Sequence, residues 1–321
     1  MKKIVRIQLM ILIVQLVAGR REALAQQLPF YSQYRSNYFM FNPAITGTKQ
    51  SVDARADYRM QWVGYDGAPT TASASFHSRF AKSGAFGLGG FVTHDEIGPS
   101  QQNTCNVSGA YHLHFPDVEL SVGLAGYFTQ YTINGNKMTL RDVQDPSINQ
   151  NITTNAWAKN IGAGFYLYND RFNIGLSAIN YLQPQVGVFR EDTLKKGIIK
   201  YVTSANFIVG YNYSASEDYL CENTFYANYV VGAPIMLDYT FRFHYKQKVF
   251  IGASVRLRDA LVLHTGYTFY KHLQVSYSYD LLVSNVRNHS DGSHEIMLIY
   301  FYDLHAGKKN RFLKQKYQSL L

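Results

Sequence analysis

From Ser51 to Trp62 the chain alternates without a break. Val52, Ala54, Ala56, Tyr58, Met60 and Trp62 take the even positions, and Ser51, Asp53, Arg55, Asp57, Arg59 and Gln61 the odd ones. Successive side chains of a strand point to opposite sides, so this stretch predicts one apolar face and one face that carries every charge. A strand of a soluble sandwich reads the same way, with its charges in water. The turn signals from Gly64 to Pro69 and the return run Thr70 to Phe80 tilt the reading. Together they make an antiparallel pair long enough to span a membrane when tilted.

Further candidate strands follow at 84–93, 102–115, 118–132, 156–168, 171–182, 198–213, 223–231, 235–246, 249–257, 261–269, 273–283 and 293–303. With the first pair this predicts an all-β fold, a transmembrane antiparallel barrel of the outer-membrane type with about 14 strands. The clearest alternations set Val118, Leu120, Val122 and Leu124 against Glu119, Ser121, Gly123 and Ala125, and Leu273, Val275, Tyr277, Tyr279 and Leu281 against His272, Gln274, Ser276, Ser278 and Asp280. A packed soluble core would need large apolar side chains on the inner face, where these strands offer Ser, Gly, Gln and Asp. Connections alternate too. Those at 81–83, 116–117, 169–170, 247–248 and 270–272 are short, with 214–222 longer, whereas the other set includes the long 133–155, 183–197 and 284–292 beside the short 232–234 and 258–260. Short turns on one rim and longer loops on the other mark an outer-membrane barrel with the short rim periplasmic.

The ends differ from the body. A basic start, an apolar run from Ile7 to Ala18 and Ala23-Leu24-Ala25 before Gln26 predict a secretory signal over 1–25, too short in its apolar part to span a bilayer. Residues 26–50, rich in Tyr, Phe, Asn and Gln and punctuated by Pro43 and Gly47, read as an ordered periplasmic leader tucked against or inside the barrel. The barrel is expected over 51–303, and 304–321 as a basic periplasmic tail. Aromatic residues make up 15% of the chain and charged residues only 17%, which suits aromatic girdles at a membrane interface. The net charge of +9 suggests a polyanion partner until it is located. Lys2, Lys3, Arg6, Arg20 and Arg21 against Glu22 put +4 in the signal, and Lys308, Lys309, Arg311, Lys314 and Lys316 put +5 in the tail, so the body is neutral and nucleic-acid binding is excluded. Phe312, Leu313 and Tyr317 lie near one another at helical spacing. The tail reads either as a solvated terminus or as a docking segment for an acidic periplasmic patch.

Little in the chain looks like chemistry, and no catalytic, cofactor-binding or metal-ligating residue is assigned. Cys105 and Cys221 are far apart in sequence and read as free, strand-buried thiols rather than a disulfide. His112 and His114 share a strand face, but no third ligand stands at a zinc-like spacing. Thr93-His94-Asp95-Glu96 reads as polarity at the head of a Gly-Pro loop. The strand glycines Gly87, Gly89, Gly90, Gly123, Gly126, Gly162 and Gly164 read as sites of bending and close packing rather than a phosphate cradle.

Four blocks in order, "LPFYSQYRSNYFMFNPAITGT", "YRMQWVGYDGAPTTASASFHS", "GLGGFVTHDEIGPSQQNTCNVSGAYHLHF" and "SYSYDLLVSNVRNHSDGSHEIMLIY", resemble the PorP/SprF family of Bacteroidota type IX secretion system membrane proteins, from about Gln27 to Tyr302. Gln61-Trp62-Val63-Gly64, Asp66-Gly67-Ala68-Pro69 and Gly292-Ser293-His294-Glu295 carry most of the resemblance. Met60 and Ile45 depart from it, and the tail beyond Asp303 is longer than the family suggests. The resemblance implies a non-enzymatic outer-membrane barrel that assists export or surface attachment of particular cargo proteins, adhesins of gliding motility among them in some members. It also implies contact with outer-membrane lipid and with periplasmic parts of the export machine, and no cofactor. A small-solute channel is the alternative, and a barrel enzyme the third reading.

Overall fold

The alternation along the chain becomes a closed wall. The computed structural model describes residues 30–49, 51–80, 84–138, 153–188, 197–270 and 272–303. Its strands are β1 (Ser51–Met60), β2 (Thr70–Phe80), β3 (Phe86–Ile97), β4 (Ser100–His114), β5 (Glu119–Asn134), β6 (Thr153–Tyr168), β7 (Phe172–Ile179), β8 (Gln185–Val188), β9 (Gly197–Lys200), β10 (Ser204–Ser214), β11 (Tyr219–Val230), β12 (Met236–Tyr245), β13 (Val249–Arg256), β14 (Ala260–Phe269), β15 (Leu273–Leu282) and β16 (Ser293–Asp303). All but β8 and β9 form one antiparallel barrel of 14 strands, and β1 pairs with β16 from Ser51↔Asp303 to Met60↔His294 to close it. Every barrel strand has a neighbour on both sides, so the wall closes on itself, as a spanning structure requires in hydrocarbon. Among the described residues no helix is long and apolar enough to cross a membrane, so the crossing is done by strands.

Two of the expected elements change. The predicted strand 198–213 splits, because Gly197–Lys200 pairs with Gln185–Val188 as a separate two-stranded sheet and the barrel strand starts only at Ser204. The predicted loop after Thr93 shrinks to two residues. β3 and β4 stay paired up to Ile97↔Ser100, joined by Gly98-Pro99, with Gly98 at φ 54°, a left-handed value that glycine tolerates. Connections on one rim, at 81–85, 115–118, 169–171, 215–218, 246–248 and 270–272, are uniformly short, while 135–152, 180–203 and 283–292 are on the other. We call these the short-turn and long-loop rims.

Outward positions are apolar and exposed, as Tyr58, Leu124, Phe165, Leu263 and Leu298 show. Inward positions are polar, yet they are buried. Asp53, Asp57, Arg59, Ser121, Ser276, Ser278 and Asp280 are each at most 5% exposed. What covers them is the leader. Residues 30–49 take the second of the places expected for them, inside the barrel rather than against it. They run through the lumen from the long-loop half, where Phe30 stacks under Arg256, down to Lys49 beside Asp53 and into β1. The core of the molecule forms between this segment and the wall. Tyr31, Tyr34, Tyr38, Phe39, Met40, Phe41, Ala44 and Ile45 pack against Phe91, Tyr127, Tyr166, Ile179, Ile208 and Tyr226. Small inner side chains leave a volume, and the aromatic leader fills it. The signal region, the tail with Phe312, Leu313 and Tyr317, and the basic residues of both lie outside the described residues.

Candidate functional site: the plugged lumen

The seat of the plug is cut by glycines. Asn42 opens a short 3-10 turn over Pro43–Ile45, its side-chain oxygen accepting from the Ala44 N–H at 2.9 Å and its amide donating to the Phe165 carbonyl at 3.1 Å. The Phe41 carbonyl accepts from Ser177 Oγ at 2.6 Å and from Asn206 Nδ2 at 3.3 Å. A Cβ at Gly123 would strike the Pro43 carbonyl, one at Gly164 the Asn42 side chain, and one at Gly87 the Thr46 carbonyl. The strand glycines of the lumen therefore serve close packing, as expected, but against the plug backbone rather than at barrel corners.

Near the long-loop rim a carboxylate-rich knot holds the start of the plug. Glu295 accepts the N–H groups of Ser32 and Gln33 at 2.7 and 2.9 Å. Arg59 bridges Glu295 and Asp280 at 2.9 and 2.8 Å, and Arg256 joins Asp280 at 3.1 Å to Asp238 at 3.4 Å. Both guanidiniums also donate to Ser32 Oγ, and the Tyr34 hydroxyl donates to Asp238 at 3.0 Å. Asp57, inward on β1, has neither oxygen hydrogen-bonded. Arg59 thus serves two acids at once and Arg256 three, the third being Asp259 at 3.0 Å, a geometry a planar guanidinium is suited to.

Lower down, Arg35 of the plug meets Glu222 at 2.7 Å, an ion pair whose angles are not those of a hydrogen bond, and His244 lies 3.2 Å from the other Glu222 oxygen. Lys49, at the short-turn end of the plug, stands 2.9 Å from Asp53. At the short-turn end the plug presents carbonyls. Arg79 donates to the carbonyls of Gly47 at 2.6 Å and Thr48 at 3.2 Å while pairing with Glu119 at 2.9 Å, and His112 Nε2 donates to the Thr46 carbonyl at 2.9 Å.

Most of these plug-holding residues were missed from sequence. Their signal is present, since charged side chains at inward positions of a wall need partners, and the alternation of β1 shows four of them. The residues that looked like chemistry are dispersed. The β3 pairing puts Thr93 and Asp95 inside and His94 and Glu96 outside, so the four form no cluster. His112 is a plug anchor, and His114 lies 3.8 Å from Glu119. Cys105 and Cys221 are unpaired and on strands, but Cys105 faces outward and exposed and Cys221 is half-buried, because each falls on the outward parity of its strand. The blocks Gln61 to Pro69 and Gly292 to Glu295 meet at the barrel seam. Val63 and Gly292 bond backbone to backbone at 2.8 Å, Trp62 N donates to Ser293 Oγ at 3.1 Å, and Gly64, Gly67 and Gly292 all take left-handed φ.

These features define a class, an outer-membrane β-barrel whose lumen is occupied by its own N-terminal segment. The chain belongs to the type IX secretion system membrane protein PorP/SprF family, whose profile matches residues 23–300. It is thereby a membrane component of that secretion system, in the outer membrane. No curated protein matches it. Solved structures of similar fold include the CymD monoaromatic hydrocarbon channel (10% identity, TM-score 0.47, 87% of this chain and 94% of that one). A Pseudomonas aeruginosa FadL homologue (11%, 0.45, 88% and 96%) and the KdgM porin (12%, 0.38, 78% and 99%) are others. At such identities the likeness is one of barrel architecture alone.

Proposed function

We propose that this protein assists the export or surface attachment of particular cargo proteins as a sealed barrel, contacting periplasmic parts of the machine, and that it neither conducts small solutes nor catalyses a reaction. The observation that carries this reading is the plug: the wall's inward charges are spent on the leader instead of lining a wet path. In this reading the signal is removed after Ala25, so that only Gln26 to Pro29 precede Phe30, and the basic tail 304–321 lies on the periplasmic side, free to dock on an acidic partner. Cargo of the gliding type fits the family without being singled out by any residue.

Two measurements test it. Deleting the gene should deplete a specific surface protein and leave small-solute uptake unchanged. In planar bilayers the full chain should be closed to ions, and removal of residues 30–49 should open it. Steady conductance by the full chain together with an intact surface proteome in the deletion strain would hand the function to the channel reading.

A further inference from the structure

The outward face of β3 to β6 changes character row by row. The strands run past the membrane on the long-loop side, so the cross-strand register locates the boundary. One row is polar throughout, Glu96, Gln101, Thr132 and Asn155. The next, His94, Asn103, Gln130 and Trp157, is mixed. Below it come Val92, Cys105, Phe128 and Lys159, and beneath these only Gly, Val and Ile at Gly90, Val107, Gly126 and Ile161. Trp157, 67% exposed, sits at the boundary, where indole rings gather in membrane barrels.

At this level the wall carries a groove of about 530 Å³. Its outward floor is made of small side chains, Ala72, Ala74 and Cys105, and Phe128 and Trp157 stand up beside it. Lys159 is directly across the strand pair from Phe128 and two residues from Trp157 on the same face. It is exposed, with no ion pair among the described residues, whereas Lys137, higher up, is neutralised by Glu96 at 2.6 Å.

We propose that this groove binds a phosphorylated lipid of the outer leaflet, with an acyl chain lying over Ala72, Ala74 and Cys105 and the phosphate on Lys159. An unpaired ammonium at the edge of hydrocarbon reaches for the headgroup layer, and phosphate is the anion that layer supplies. The dent, which Phe128 separates from Lys159, exposes mainly apolar surface, as a chain requires, and His94, Asn103 and Gln130 line its polar edge. The long-loop rim faces the cell exterior in barrels of this class, so the lipid is drawn from the outer leaflet.

The test is native mass spectrometry of the full chain released from detergent, titrated with bisphosphorylated lipid A and with the same lipid after enzymatic dephosphorylation. The phosphorylated form should be retained about tenfold better, the factor expected of one charge-assisted contact. Lys159→Gln should erase that preference while leaving residual binding, and Ala74→Phe, which fills the floor, should remove binding of both forms. Unchanged heat-modifiable migration shows that each variant is folded, and the two-lipid comparison on the unaltered protein needs no variant. Equal retention of both lipids, or retention indifferent to both substitutions, would overturn the proposal, as would displacement of the lipid by a co-purifying protein seated on the groove.

Discussion

At the long-loop end the plug offers N–H groups, and the wall answers with carboxylates. At the short-turn end the plug offers mainly carbonyls, and the wall answers with Arg79 and His112, while one N–H, that of Gly47, goes to His77 at 3.3 Å. A peptide has direction, with donors and acceptors that cannot be exchanged by turning it round. The arrangement therefore selects one sense of threading, with Ser32 at the acidic knot and Gly47 at the basic one. The halves differ in charge as well. Asp57, Asp238, Asp280 and Glu295 face Arg59 and Arg256 above, so acids exceed bases there; below, Arg35, Lys49, Arg55, Arg79 and Arg242 outnumber Asp53, Glu119 and Glu222. The plug brings only cations of its own, Arg35 and Lys49, and each finds a wall carboxylate. What this teaches is that the buried polar wall is a binding surface for a peptide rather than an aqueous lining.

The comparison breaks most sharply at the acidic knot. Glu295→Ala leaves Arg59 with one acid fewer and two plug N–H groups without an acceptor, in a fully buried place. The cost should be about 3–5 kcal/mol, read as a lower unfolding temperature and as ion conductance from a loosened plug. Arg79→Ala at the other end should cost less, about 1–3 kcal/mol, because its partner Glu119 is partly exposed and Thr48, one of the two residues whose carbonyls it serves, is half-buried. Equal losses at the two ends would mean that the knots are not distinct in the way described.

The two faces of β5 offer the next test. Leu124→Arg places a cation in lipid and should cost about 2–4 kcal/mol of assembled stability near the midplane. Ser121→Arg, on the inner face, would be mild in a wet lumen. Ser121 is 0% exposed, so it should instead reduce folded protein as severely as Leu124→Arg, measured by heat-modifiable gel migration. A benign Ser121→Arg would show that the plug leaves the lumen in the assembled protein.

The smallest effect has the opposite sign. Asp57 stands beside the Glu295 carboxylate with no cation bonded to it, in the half where acids are in excess, so Asp57→Asn should stabilise the plugged state, by about 1 kcal/mol. A rise in unfolding temperature without a change in conductance would sharpen the picture. A fall would assign Asp57 a partner.

The wall was legible in the sequence to a degree that the interior was not. Alternation over Ser51 to Trp62 or Val118 to Ala125 depends only on the two-residue period of a strand, and tight turns with glycine and proline separate one strand from the next. Hence the strand number, the inner and outer faces and the contrast between rims were all readable in advance. β8 and β9 were not, because a run such as Gly197 to Tyr213 is apolar enough for one strand, and only the pairing partner decides where it breaks. Thr93 to Glu96 failed for a related reason, since polar residues above the membrane level look like loop while the backbone keeps its ladder.

By itself the sequence determined a closed, amphipathic barrel and, through Gln61 to Pro69 and Gly292 to Glu295, the family. Local periodicity is enough for the first and conserved order along the chain is not needed for it. Where the leader goes, and with it whether the lumen is filled, was decided only by tertiary structure. The leader has no period to reveal its environment, and its aromatic rings suit a membrane interface as well as a core. The contacts that settle the matter, Ser32 with Glu295, Arg35 with Glu222 and Asn42 over Gly164, join residues more than a hundred positions apart, and no local pattern records them.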